Sequence, residues 1–111
     1  MSEPRERLVV ADNPEQSRFE GRLDGRVVAL SEYKLPRPGV ITFLHTEVDP
    51  EFEGQGIGSV LASTVLDQVR ARRLRVVARC PFIGAYIRRH REYADLVLHS
   101  KLGRTEDEPA T

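Results

Sequence analysis

Five of the nine residues from Val40 to Val48 are apolar, namely Val40, Ile41, Phe43, Leu44 and Val48. A nine-residue run of this kind predicts a buried central strand. A glycine-rich turn follows, and beyond it apolar residues recur at spacings of three and four. This recurrence predicts an amphipathic helix from about Ile57 to Arg73, with one face packed across the strand. The apolar stripe consists of Ile57, Val60, Leu61, Val65 and Val69.

The residues that precede this run predict three or four antiparallel strands before the glycine-rich turn. Leu8 to Val10 form a short first strand, and Arg18 to Leu23 and Val27 to Leu35 form two more. Asp24 and Gly25 separate the last two runs, and Asp-Gly between such runs is a strong hairpin signal. A second turn at Arg37-Pro38-Gly39 leads into the central strand.

Downstream of the helix the pattern predicts one more strand and a shorter second helix. The strand spans Leu74 to Arg79, and we expect it to lie parallel to the central strand through a crossover connection. The second helix begins at Pro81, because proline suits the first helical turn, and runs to about His90. The pattern as a whole predicts an α/β (α+β) domain with a mixed, mostly antiparallel sheet flanked by two helices.

The length of 111 residues allows one domain with a modest core. We assign residues 1–103 to that domain and 104–111 to an acidic, disordered tail. Met1 to Arg5 are expected to be frayed. No run of 18 apolar residues is present, so no membrane span is expected. The N-terminus MSEPRER lacks an apolar core segment, so no secretory signal is expected either. Cys80 is the only cysteine, which excludes an internal disulfide and indicates a reducing cytoplasm.

The formal net charge is zero, yet arginines are concentrated between positions 70 and 91, where no acid interrupts them. An anionic ligand on that side is the expectation. Nucleic acid is the weaker interpretation, because aromatic residues are sparse and no nucleic-acid-binding motif is present. A solvated arginine face remains an alternative. The arginines are Arg70, Arg72, Arg73, Arg75, Arg79, Arg88, Arg89 and Arg91.

Three closely spaced glycines, Gly54, Gly56 and Gly58, follow the predicted central strand. Glycine has no Cβ, so the backbone can turn tightly and bring its N–H groups close to a ligand. The helix that begins near Ile57 adds unpaired N–H donors and a partial positive charge at the same point. The pattern predicts a phosphate site, with a tight loop that binds nothing as the alternative.

Two other glycine-rich phosphate sites do not fit this pattern. A dinucleotide-binding turn follows the first strand of a βαβ unit and is followed by an acid about 20 residues on. Here the glycines come after about four strands, and the corresponding region is rich in arginine. A Walker A loop is excluded because no Gly-Lys-Ser/Thr is present.

The segment TEVDPEFEGQGIGSVL resembles motif A of the GNAT superfamily of acetyl-CoA-dependent N-acetyltransferases, whose turn reads Gln/Arg-x-x-Gly-x-Gly/Ala. The match falls on residues 53–58. Further along, CPFIGAYIRRHREYADLV is similar to a second signature of a minimal single-domain branch, in which Cys-Pro-Phe follows the next strand. The two motifs cover roughly Arg18 to Val97. The first motif position is the acid Glu53 instead of Gln or Arg, so no phosphate contact is expected from it.

The resemblance implies a compact GNAT fold with acetyl-CoA as co-substrate and no metal. It implies that the pantetheine arm pairs with the strand before the turn, near Glu47 and Val48, which a bulge splays from its parallel neighbour. The adenosine phosphate would meet Arg70, Arg73 or an arginine of the second helix. The pyrophosphate would take backbone N–H groups from Gln55, Gly56, Ile57, Gly58 and Ser59.

Acetyl transfer to an amine needs a neutral nucleophile, and less than about a thousandth of a free lysine is neutral at pH 7. Glu47 and His45 are the candidate bases, and alternation places them on one face of the strand. For His45 a hydrogen-bonded core histidine is the favoured interpretation; for Glu47 a catalytic and a structural role stay open. Tyr86, on the second helix, is the candidate proton donor to the departing thiolate, although the usual family spacing is not reproduced.

Cys80 ends a predicted strand just before Pro81, so its sulfur is expected near the start of the second helix. There the unpaired N–H groups and the helix dipole stabilise a thiolate. The resemblance places this strand end near the acetyl thioester. Cys80 could accept the acetyl group, protonate the leaving thiolate or only shape the pocket, and a buried, inert cysteine is the alternative.

We therefore predict an N-acetyltransferase that acts on a primary amine, as a monomer or homodimer. Two alternatives remain: a non-catalytic module that binds coenzyme A or another phosphate ligand, and an arginine-faced module that binds nucleic acid or protein. The sequence does not identify the acceptor amine.

Overall fold

The computed structural model describes residues 2–98, which form one five-stranded sheet in the strand order β1-β2-β3-β4-β5. The first four strands pair antiparallel, and β5 pairs parallel to β4. The predicted mixed, mostly antiparallel sheet is thus confirmed. The strands are β1 (Val9–Asn13), β2 (Arg18–Leu23), β3 (Arg26–Arg37), β4 (Val40–Val48) and β5 (Arg75–Ala78).

Three helices accompany the sheet in the described part of the chain: α1 (Pro4–Arg7), α2 (Ile57–Ala71) and α3 (Pro81–Arg89). Short 3₁₀ turns span Pro14–Gln16 and Pro50–Phe52, and a longer one spans Arg91–Leu96. Within residues 2–98 no helix combines the length and the apolar character that crossing a membrane requires.

Helix α2 crosses the sheet and buries the stripe that its spacing predicts. Ile57, Leu61, Val65 and Val69 are at most 1% exposed, whereas Val60 is only half-buried. Leu66, which lies outside the predicted stripe, is also fully buried. The helix ends at Ala71, two residues before the predicted end.

The core lies on one face of the sheet, between the strands and the two longer helices. Phe19 of β2, Phe43 of β4 and Ile83 of α3 belong to this single cluster and are fully buried. The opposite face, called the open face below, carries Arg22, His45 and Glu47, all exposed. No helix within residues 2–98 covers it.

A bulge in β4 changes which residues point at the core. Tyr33 of β3 pairs with Phe43, and the next residue back, Glu32, pairs with His45. Leu44 is therefore an extra residue, and the alternation of side chains shifts by one beyond it. Val40 to Phe43 are buried, whereas Leu44, His45 and Glu47 are exposed. The prediction of a buried central strand is right for the first half of β4 and wrong for the second.

Some boundaries differ from the predictions. Pro4 and Arg5 lie in α1, so the expectation of a frayed segment is wrong for these two residues. Glu3 and Glu6 form a capping box, in which each side chain accepts from the other's backbone N–H and holds the single turn. Met1 and the predicted tail at 104–111 lie outside the described residues. The limits of the domain stay a prediction.

Candidate active site

The chain turns twice through left-handed backbone between β4 and α2. Gly54 has φ +79° and Gly56 has φ +81°, a region that residues with a Cβ occupy only at a steric cost. Gly56 is the N-cap of α2, and its carbonyl accepts from the Val60 N–H at 3.1 Å. These two glycines therefore set the path by which the chain enters the helix.

The backbone donors at the start of α2 are left open. Within residues 2–98 the N–H groups of Gly56, Ile57, Gly58 and Ser59 have no protein acceptor, whereas Gln55 N–H donates to the Phe52 carbonyl at 3.3 Å. Four adjacent donors at a helix N-terminus carry partial positive charge and form an anion-binding surface. Of the five N–H groups that were predicted to bind the pyrophosphate, four are thus free donors.

Gly58 serves a different purpose from the two glycines before it. It lies within α2, and a Cβ added there would come 2.8 Å from Cζ of Phe82 and 3.5 Å from Cγ2 of Val48. No side chain fits in that space unless the Phe82 ring moves. Gly58 thus lets the aromatic ring at the start of α3 lie directly against the start of α2.

Strands β4 and β5 separate beyond Phe43. The parallel pairing runs from Val40 to Phe43, and the Phe43 carbonyl accepts from both Arg79 and Cys80 N–H groups, each at 3.0 Å. Beyond the bulge at Leu44, β3 is the only strand within residues 2–98 that pairs with β4. The second half of β4 therefore has a free edge on the side that β5 leaves.

Two residues direct their backbone polar groups to that free edge. Asp49 N–H donates to the Val28 carbonyl at 2.8 Å, and hydrogen-bonded pairs alternate with non-bonded pairs in an antiparallel ladder. The backbone N–H and C=O groups of Glu47 are therefore hydrogen-bonded to β3, whereas those of Thr46 and Val48 point away from β3. An extended ligand beside β4 would find these groups available.

The free edge of β4 and the start of α2 face each other across one cleft of about 380 Å³. Phe52, Ile57 and Phe82 give it apolar walls, and Glu53 is the single charged residue among those that line it. Within residues 2–98 the lining is Thr46, Val48, Phe52, Glu53, Gly54, Gly56, Ile57, Gly58, Ser59 and Phe82.

His45 and Glu47 are adjacent on the open face, next to the free edge. Their side chains are 55% and 63% exposed, and His45 Nε2 lies 3.5 Å from Glu47 Oε2. The interpretation of His45 as a core histidine is wrong, because the bulge at Leu44 turns it away from the helices. The prediction that the two side chains share a face is correct.

Cys80 is the N-cap of α3 and is 2% exposed. Its thiol donates to Thr46 Oγ1 at 3.2 Å, and that hydroxyl lies 3.1 Å from Ser31 Oγ. Thr46 lines the cleft, whereas Cys80 lies behind it. This geometry favours a packing role for Cys80, which would affect the cleft by positioning the Thr46 side chain.

Tyr86 lies in the core and is 6% exposed. Its ring stacks on His90 with centroids 3.9 Å apart, and burial raises the pKa of its phenol above the ordinary value. Tyr86 is not part of the cleft lining. The structure thus does not bring the predicted proton donor to the cleft.

The two predicted phosphate-binding arginines lie at the other end of α2. Arg70 is 14 residues beyond Gly56, about 20 Å along the helix. Its guanidinium donates to both carboxylate oxygens of Asp95 and to the Glu92 carbonyl, each at 2.8 Å. Arg73 follows the helix end with φ +59° and is exposed.

Sequence reasoning assigned no role to Thr46 or Phe82. Phe82 stands in the Cys-Pro-Phe signature, and its meaning becomes clear only from its contact with Gly58. Thr46 lies two residues before Val48 on the same face, a spacing that could have indicated it. Within residues 2–98, no group of three or more His, Cys, Asp or Glu side chains is placed to hold a metal ion.

A parallel strand pair that separates beside a helix N-terminus is the geometry that the resemblance to the GNAT superfamily implies, and comparison with known proteins shows the family. The sequence model of the GCN5-related N-acetyl-transferase family matches residues 18–96. The chain belongs to this family, whose members generally use acetyl-CoA. The narrower assignment to a branch with a Cys-Pro-Phe motif stays a prediction.

Two solved structures share the fold. An NMR structure of a GCN5-like protein from Staphylococcus aureus matches with a TM-score of 0.65 and 24% identity, over 86% of this chain and 92% of that one. A crystal structure of Ard1 from Thermoplasma volcanium matches with a TM-score of 0.54 and 22% identity, over 78% of this chain and 58% of that one. No curated protein matches the chain significantly.

The cleft has the features that acetyl-CoA requires. Its phosphates need hydrogen-bond donors, which the open N–H groups from Gly56 to Ser59 provide together with the partial positive charge of the helix end. Its pantetheine arm carries amides, which can pair with the free backbone groups of Thr46 and Val48. The residues present therefore fit the co-substrate that the family uses.

Proposed function

We propose that the protein transfers an acetyl group from acetyl-CoA to a primary amine, on a small molecule or on a lysine or N-terminus of a protein. The observation that carries this proposal is the single cleft that joins the free edge of β4 to the open N–H groups of α2. Neither feature alone would distinguish coenzyme A from another phosphate ligand.

The chain's own residues would bind and orient the co-substrate, which supplies an activated acetyl thioester. The N–H groups from Gly56 to Ser59 hold the phosphates, and the backbone of Thr46 and Val48 holds the extended arm. Ile57 and Phe82 give the cleft apolar walls, and polar contacts beside such walls are stronger than in bulk water.

Glu47 is the proposed general base. It lies on the open face beside the free edge, where an amine can approach from solvent, and it can accept the proton of the ammonium group directly or through water. His45, 3.5 Å away, is the second candidate for this role or a partner that orients the carboxylate. On the evidence of its single cysteine we also propose a reducing, cytoplasmic location.

Calorimetry with acetyl-CoA, followed by mass spectrometry of a panel of amines and peptides, tests the function. We expect binding and a mass gain of one acetyl group on at least one amine. Tight binding without any acetylated product would support a non-catalytic coenzyme A module instead. Absence of binding would favour the remaining alternative, an arginine-faced module that binds protein or nucleic acid.

A Glu47→Gln variant tests the proposed base. We expect turnover to slow several-fold at neutral pH and less at high pH, where a larger fraction of the amine is already neutral. Glu15→Gln, which removes an exposed carboxylate from the Pro14–Gln16 turn, is the matched control and should turn over normally. An equal loss for Glu47→Gln at every pH would assign Glu47 a structural role.

A further inference from the structure

The short N-terminal helix α1 lies against the glycine turn. A Cβ built on Gly56 would come 3.1 Å from Cδ and 3.8 Å from Nη1 of Arg5, and α1 contacts α2. The Arg5 side chain therefore crosses the backbone of Gly56, at the first of the four open N–H groups. Helix α1 precedes residues 18–96, the part of the chain that the family shares.

The fold fixes the position of this helix. Its capping box joins Glu3 to Glu6, and the residue that follows the helix, Leu8, packs against the core. Leu8 also occupies the space beside Gly21, where an added Cβ would come 3.2 Å from Cδ1 of Leu8. Arg5 is thus held between a capped turn and an anchored side chain.

Among the described residues, 2–98, no basic side chain lines the cleft. Its charged lining residue is the acid Glu53, at the motif position where Gln or Arg is expected from the resemblance. A pyrophosphate at the open N–H groups would carry negative charge close to that carboxylate. The guanidinium of Arg5, at the Gly56 backbone, can supply the compensating positive charge.

Arg5 can exchange its present partner for a ligand. Its Nη2 lies 2.8 Å from Glu3 Oε2, and the two side chains are 55% and 60% exposed. An ion pair this exposed to water contributes little to stability. Replacing it by a charge-assisted hydrogen bond to a phosphate therefore costs little.

We infer that Arg5 is a cofactor-binding residue, which closes over the glycine turn and contacts the pyrophosphate of acetyl-CoA in place of a side chain from the motif itself. This inference rests on the proposed function, because it requires acetyl-CoA in the cleft. It assigns a binding role to a segment outside the matched family region.

Calorimetry of Arg5→Ala with two ligands tests the inference. We expect the affinity for acetyl-CoA to fall about tenfold, the loss of one charge-assisted hydrogen bond, and its dependence on salt to become shallower. Affinity for S-acetylpantetheine, which lacks the phosphates, should not change. Arg7→Ala is the matched control, because Arg7 lies on the same helix and donates to the Ser2 carbonyl.

The outcomes separate this inference from the proposed function. If the unmodified protein binds acetyl-CoA and Arg5→Ala binds it equally well, the role of Arg5 is overturned and the function stands. If both ligands weaken equally, Arg5 only supports the fold, and a lower melting temperature would accompany that result. If the unmodified protein does not bind acetyl-CoA, both proposals fall together.

Discussion

The two ends of helix α2 differ in how their polar groups are satisfied. At the N-terminal end, the N–H groups from Gly56 to Ser59 have no acceptor within residues 2–98. Near the C-terminal end, Arg70 binds Asp95 and the Glu92 carbonyl. There Arg72 also donates to Asp12 at 2.8 Å, and Tyr93 donates to Asp67 at 2.8 Å. One end is thus available to a ligand, and the other is joined to the rest of the fold.

This difference shows that charge in the sequence is a poor guide to an anion site. The arginine-rich segment indicated phosphate binding near Arg70, yet that guanidinium makes its hydrogen bonds to the protein itself. The candidate anion site has backbone donors and almost no basic side chains. A carboxylate 20 or more residues away in sequence can neutralise an arginine, and composition does not reveal it.

Gly58→Val, at the N-terminal end of α2, should have the largest effect on acetyl-CoA affinity. Its Cβ would displace the Phe82 ring, which lines the cleft, so we expect acetyl-CoA affinity to fall by about tenfold or more. Overpacking of this kind also lowers folding stability, typically by about 1–3 kcal/mol. Calorimetry measures the loss of affinity. Ala71→Val inserts the same branched side chain at the exposed opposite end and should bind normally. Normal binding by a folded Gly58→Val protein would contradict the assignment of the cleft.

Tyr93→Phe tests the C-terminal end of α2, and its effect is measured on the stability of the fold. Burial and the hydrogen bond to Asp67 raise the pKa of Tyr93 from 10.0 to about 12. The folded state holds the phenol proton of Tyr93 more tightly than the unfolded state does. The protonated phenol therefore contributes to folding stability below about pH 10, and this contribution is lost as the pH rises to about 12.

The Tyr93→Phe variant should lose about 1 kcal/mol of stability at neutral pH and show a weaker decline in alkali. Urea unfolding at several pH values measures both. Part of the decline should persist, because burial and a hydrogen bond to Asp12 also raise the pKa of Tyr33 to about 12. Acetyl-CoA affinity should not change; a loss of affinity would show that the two ends of α2 are coupled.

Glu53→Gln should have the smallest effect on acetyl-CoA affinity, and it should raise this affinity. Removing the carboxylate from the cleft lowers its repulsion of phosphate, so we expect affinity for acetyl-CoA to rise about two- to threefold at low salt. The gain should vanish at high salt, where the charges are screened. Titrations at two ionic strengths measure it. Weaker binding by the variant would mean that the Glu53 carboxylate holds the turn in place.

The sequence predicted most of the fold because its signals are local. The limits of β2 and β4, the start of α2 and the parallel pairing of β5 all follow from periodicity and from turn residues. Helix α1 was missed because a single turn has little periodicity, and its stability depends on a reciprocal cap and on the packing of Leu8.

The site was predicted less completely, because its features depend on how strands and helices are placed relative to one another. The glycines indicated the open N–H groups and the resemblance implied a bulge, but only the register of β3 against β4 places the extra residue at Leu44. That residue decides which way His45 points. The separation of β4 from β5 likewise depends on where Arg79 and Cys80 bond to Phe43, which no pattern within one strand determines.

The bulge at Leu44 also bears on how this protein can vary. Ile41, Phe43, His45 and Glu47 would share one face of a regular strand, because they alternate along it. The bulge shifts this alternation, so Ile41 and Phe43 face the helices whereas His45 and Glu47 face solvent. Substitutions at His45 and Glu47 can therefore alter the surface beside the cleft without creating a cavity or a clash in the core. A deletion of Leu44 itself would remove the extra residue and leave His45 opposite Glu32 and facing solvent. A one-residue deletion beyond His45 would instead turn Glu47 towards the core, so the length of this part of the strand is under tighter constraint than the identity of its exposed residues.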